Sequence, residues 1–301
     1  MGRVRATTLR WRALSSFDVT NATQRWRIDL AYDGRGLHGF AEQPGHQTVI
    51  GLLRETLTRT LRLLAPPQII GAGRTDAGVH AFAQVIHVDL PPRLFPDDRG
   101  EPTERLIRSL NMQLAGRVRI LKVQPVTKEF HARYSAQWRA YRYLVVESEG
   151  PALDVTAHLA WVTHGPIDVD LLSRAAELIV GTHDFRSFCR RSPGTELSDP
   201  LKRNVSEARW RHVPDELGIH PSGAPVLRLD IRANAFCHQM VRSLTALMIG
   251  IGQGKLPISL LSERFESGDR DGLPTPAPAG GLALIGVGYD EFAGGPSGFV
   301  G

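Results

Sequence analysis

Two cysteines in 301 residues are too few for a disulfide framework, and Cys189 and Cys237 stand in no paired-ligand spacing. They read as separate, reduced packing residues, which excludes a stapled secreted domain and a cysteine-held zinc site. Eleven histidines are present, but no His-x-x-x-His pair falls on an expected helix, so no metal centre is expected. Long apolar runs are missing as well. The best stretch, Leu244 to Ile251, is too short for a membrane span and is broken by Thr245 and Gly250. The first sixteen residues, MGRVRATTLRWRALSS, hold no acid and no secretory apolar core. They leave open a disordered basic arm that touches phosphate, an organellar transit segment or a start-site artefact. A cytoplasmic location follows as the expectation.

The composition that remains is 42% hydrophobic and 22% charged, that of an ordinary soluble globular protein. A net charge of +5 suits a polyanionic partner, although many basic enzymes never touch nucleic acid. Trp26, Ile28, Leu30 and Tyr32 alternate with polar neighbours as in a half-buried strand. Thr48 is placed to cap a helix carrying Val49, Leu53, Leu57, Leu61 and Leu64, which Pro66-Pro67 would stop. Leu106, Leu110 and Leu114 mark a second helix, with strands expected at 68–70, 84–90, 118–123 and 139–146. Beyond it, Asp168 or Asp170 can cap a helix through Ile179, and Leu227, Leu229 and Ile231 form the clearest amphipathic strand. Helices are expected over 237–251 and 259–266, then a closing strand over 282–289. The order of elements repeats, without sequence self-similarity. The expected fold is α+β, with two related sheet-and-helix halves and a cleft between them. The divisions fall at 1–24 (basic arm), 25–147, 148–291 and 292–301 (Gly-rich tail).

Four segments carry candidate chemistry. Gly71 to Ala81 reads GAGRTDAGVHA and places Asp76 two residues after Arg74 and two before Gly78. Asp-Ala-Gly is ordinary turn chemistry, but a turn does not require Arg-Thr before it or Val-His-Ala after it. A small loop here could present a carboxylate nucleophile, with neighbouring Arg74 keeping it ionised. Phe130 to Ala136 (FHARYSA), followed by Arg139 to Tyr143 (RAYRY), interleaves aromatics with arginines. Such a surface can stack a base and hold its phosphates; equally, Tyr141, Tyr143 and Val145 can share one face of a core strand. Asn234 to Arg242 (NAFCHQMVR) puts Arg242 on an otherwise apolar helix, where it needs a carboxylate partner, catalytic or structural. Tyr32-Asp33-Gly34 to Gln43, alone, is a loop.

These segments, with the closing GLALIGVGY, occur in the order of the tRNA pseudouridine synthase A family, which the chain resembles from Trp26 to Glu291. The resemblance implies the pseudouridine synthase fold, with a mainly antiparallel sheet. It also implies isomerisation of uridine to pseudouridine at positions 38, 39 and 40 of the tRNA anticodon stem-loop, by a homodimer, with neither cofactor nor metal. By matching motif, Asp76 corresponds to the nucleophile and Arg74 to the arginine that displaces the target nucleotide. Tyr141 corresponds to the aromatic that stacks on the uracil, Arg242 to the aspartate's partner, and Leu282 to an apolar pocket wall. Arg133, in the FHARYSA run, is read as an RNA contact. An intact Asp76, Tyr141 and Arg242 set argues against a non-catalytic RNA-binding relative; a synthase for another RNA site stays open. Three positions depart from the pattern: Ile50 for a glutamine, Ala115-Gly116 for Pro-Gly, and His238-Gln239. None is the proposed nucleophile.

Overall fold

Alternation of apolar and polar residues builds β1 (Gln24–Tyr32), whose Trp26, Ile28, Leu30 and Tyr32 are buried. The computed structural model describes residues 23–95, 100–148, 157–190, 200–216, 218–220 and 222–289. Nearly all of the expected basic arm, and the Gly-rich tail, lie outside them. Further strands are β2 (Ile69–Gly71), β3 (His80–Leu90), β4 (Val118–Val126), β5 (Ala136–Glu147) and β6 (Trp161–Thr163). β7 (Gly181–Asp184), β8 (Lys202–Val213), β9 (Val226–Ala233) and β10 (Leu282–Tyr289) complete the set.

All ten strands join one sheet in the order β4-β1-β3-β10-β5-β9-β8-β7, with β2 on β3 and β6 on β5. The pairing is antiparallel except for β10 with β3 and β5 with β6. The fold is therefore α+β and mainly antiparallel, as expected. Its two sequence halves share this sheet. β5, from the first, pairs with β9 of the second, while β10, the last strand, lies between β3 and β5.

The helices are α1 (Val49–Leu61), α2 (Pro102–Gln113), α3 (Val169–Ile179), α4 (Met240–Gly252) and α5 (Ser259–Ser267). Thr48 caps α1 by accepting from the Gly51 N–H at 3.2 Å, and Asp168 caps α3 by accepting from Asp170 and Leu171. α1 ends earlier than the prolines require. Arg62 adopts a left-handed conformation (φ 51°) and donates its N–H to Thr58, which leaves Leu64 fully exposed. α4 is apolar on almost every side and is a core helix. Full burial of Leu244 and Leu247 contributes about 1.5–3 kcal/mol each. It begins at Met240, three residues later than expected, because Gln239 holds φ 64°.

Further features differ from the sequence reading. β6, β7 and β8 have no counterpart among the expected strands. Cys189 and Cys237, read as separate reduced residues, form a disulfide with a Cα–Cα distance of 5.6 Å. Their separation of 48 positions along the chain hid this proximity. The turn after β7 folds back beside the segment that precedes α4, where the Arg190 N–H donates to the His238 carbonyl at 2.9 Å.

Candidate active site

The Asp76 loop joins β2 to β3 and is braced on both flanks. Ala72 donates its N–H to Val85 at 2.8 Å, and Gln84 Nε2 donates to the Gly73 carbonyl at 3.0 Å. Buried Thr75 shares a 2.7 Å hydroxyl hydrogen bond with Tyr32, and its carbonyl accepts from the Phe40 N–H. The Asp33 loop, unremarkable in sequence, closes over this turn. At Gly39 (φ 89°) a Cβ would sit 2.9 Å from the Thr75 carbonyl oxygen, so only glycine allows that approach. The turn closes through the Val79 N–H to the Asp76 carbonyl at 3.2 Å.

Arg242, on the first turn of α4, brings Nη1 to 2.9 Å from Asp76 Oδ2. Its Nε donates to the Ala277 carbonyl at 2.6 Å, so the guanidinium is fixed from two directions. His238 places Nε2 3.4 Å from Asp76 Oδ1. Arg74, by contrast, is exposed; the guanidinium against Asp76 belongs to Arg242.

Tyr141 lies in β5, buried, with its ring 5.1 Å from Phe236 in an edge-to-face arrangement. Burial pushes its hydroxyl well above the usual tyrosine value, and Tyr32 and Asp76 add to the rise. The phenol therefore stays protonated, within electrostatic reach of the Asp76 carboxylate. Leu282 is buried in β10 opposite Tyr143, two residues from Leu284, which pairs with Tyr141. Arg133 is exposed, beside Tyr134.

The structure thus unites Asp76, Arg242 and Tyr141 from three separated segments. It adds two residues that the sequence reading did not single out. His238 stood beside a recognised segment but was counted only as a variant. Arg139 shares a strand face with Tyr141, and its buried guanidinium donates to the carbonyls of Ala72, Arg133, Ala136 and Asn234. An arginine two residues from Tyr141 was the available signal.

A cavity of about 680 Å³ lies elsewhere, lined by Arg142, Leu144 and Arg228 on the sheet face opposite Tyr141. Among the described residues no group of three His, Cys, Asp or Glu side chains gathers as metal ligands, and no helix is long and apolar enough to cross a membrane.

A family model described as tRNA pseudouridine synthase matches residues 175–290. The tRNA pseudouridine synthase A of Frankia casuarinae is 39% identical over 274 residues, covering 90% of this chain and 91% of that protein. Those of Cutibacterium acnes and Streptomyces griseus are 37% and 36% identical, each covering 88% of both chains. The mainly antiparallel sheet and these similarities define an isomerase that converts uridine to pseudouridine. Within that class, the chain belongs to the tRNA pseudouridine synthase A family.

Proposed function

We propose that this enzyme isomerises uridines 38, 39 and 40 in the anticodon stem-loop of tRNA, with Asp76 as nucleophile. The observation that carries the reading is the Arg242–Asp76 ion pair beside the buried ring of Tyr141. A uracil in a stem must leave the stack, at a cost of a few kcal/mol. Stacking on Tyr141 offsets about 1–3 kcal/mol of this, and phosphate contacts supply the rest. On this reading exposed Arg74 displaces the nucleotide, Leu282 walls the uracil pocket and Arg133 serves the RNA backbone.

The uracil is then cut from C1′, turned and rejoined through carbon. A carboxylate suits this chemistry because it can form a covalent adduct and still leave. Arg242 stabilises its charge when RNA excludes water. The proposed assembly is a cytoplasmic homodimer whose two subunits share one tRNA, in line with the family resemblance.

Mapping pseudouridines in tRNA from cells with and without the protein tests activity and position together. Loss at 38–40 supports the reading. Loss at another RNA position favours a different site specificity, and an unchanged map refutes it.

A further inference from the structure

Tyr134 is 76% exposed in the loop leading into β5. Its ring is nonetheless organised. It stacks on His131 with centroids 4.4 Å apart and planes inclined by 30°, and His131 meets the buried ring of His87 at 4.8 Å. The three rings form a column that runs from the sheet to the surface. Main-chain bonds fix its members. His87 Nδ1 accepts from the Ala132 N–H at 3.0 Å, and His131 Nδ1 accepts from the N–H groups of Arg133 and Tyr134 at 3.2 Å. The Arg133 guanidinium stands 5.5 Å from the Tyr134 ring centre, a cation beside a flat apolar face.

Arg139 ties this column to the Asp76 loop. Its Nη2 donates both to the Arg133 carbonyl at 2.6 Å and to the Ala72 carbonyl at 2.8 Å, and its Nη1 reaches Asn234 at 2.9 Å. One buried side chain therefore sets the residue before Tyr134, the strand entering the catalytic loop and the segment leading to Arg242 in a single register.

We propose that Tyr134 is a stacking platform for an unpaired nucleobase of the substrate RNA other than the isomerised uracil, with Arg133 on the adjoining phosphate. Tyr141 is buried beside Asp76 and serves the reacting base. Tyr134 offers its open face to a second base, one that displacement of the target leaves without its neighbour. This inference rests on the functional reading above.

The test compares Tyr134→Ala and Tyr134→Phe with the wild type, using tRNA turnover kinetics and binding. Loss of one stacked base predicts a KM and Kd for tRNA raised about tenfold in Tyr134→Ala, with a much smaller effect on kcat. Tyr134→Phe restores both constants. Thermal stability stays at the wild-type value in both, because the ring is on the surface. His131→Asn keeps an acceptor for the two N–H groups but removes the supporting ring, and weakens binding by a smaller factor. If the wild type modifies tRNA and Tyr134→Ala matches it in KM and Kd, the platform is overturned while the function stands. If the wild type isomerises no uridine, the functional reading falls. The platform is then judged on a single-stranded oligouridine probe, where equal Kd values for wild type and Tyr134→Ala overturn it.

Discussion

Arg242 and Asp76, 166 residues apart in sequence, meet with Nη1 2.9 Å from Oδ2. The pair joins the loop before β3 to the first turn of α4. Asp76 is the part of it whose chemistry is hardest to replace. Asp76→Asn keeps the shape and an acceptor for Arg242 but removes the negative charge of the proposed nucleophile. Pseudouridine formation is expected to vanish, with tRNA binding within a few fold of wild type. Retained turnover in a tritium-release assay would remove Asp76 from the mechanism.

Arg242→Ala removes the charge-assisted bond to Asp76 and the bond to Ala277 together. Activity is expected to be lost, and stability to drop by about 1.5–3 kcal/mol, read from urea unfolding. Arg242→Lys keeps the charge without the two-directional fork and falls between the two. Normal turnover in the alanine variant would sink the pairing idea.

Tyr141 makes a prediction about alkaline pH. Its raised pKa means that the hydroxyl does not ionise near pH ~10, where a free tyrosine does. The rate profile of the wild type therefore shows no limb that Tyr141→Phe abolishes. Such a limb, present in the wild type and absent in the variant, would contradict the buried, protonated phenol.

His87 governs a stability trend. Burial, assisted by nearby Arg25, lowers its imidazole from 6.5 to about 4. Above 6.5 the ring is neutral whether the chain is folded or not. Between 6.5 and about 4 the unfolded chain takes up a proton that the folded one refuses, so stability falls as the pH drops through that window. His87→Asn, whose Oδ1 stands where Nδ1 accepts from Ala132, is expected to flatten this part of the urea midpoint against pH. An unchanged slope would exclude His87 as its source.

Period exposed β1 and α3 in the sequence because each buries one face at a regular spacing, whereas β10 was legible as an apolar run buried along nearly its whole length. β8 escaped notice for a physical reason. Only Val205 and Trp210 of its twelve residues are buried, and a register shift between Val205 and Glu207 resets the alternation. Its arginines also serve the sheet, as Arg211 pairs with buried Asp230 at 2.9 Å. The site divided in the same way. Asp76 and Arg242 stood out because each is a charge in an apolar setting. Arg139 did not, since its partners are main-chain carbonyls, which carry no residue-type signature. The disulfide was hidden because proximity across 48 residues is a property of the fold.

The position of β10 bears on how the protein is made. Asp76 and the strand that follows it leave the ribosome early, but β3 and β5 have no common neighbour until the last described strand, β10, arrives to lie between them. A nascent chain that has not reached β10 therefore carries Asp76 on an unfinished sheet. Synthesis of β10 is therefore the event that joins the part of the sheet carrying the Asp76 loop to the part carrying Tyr141.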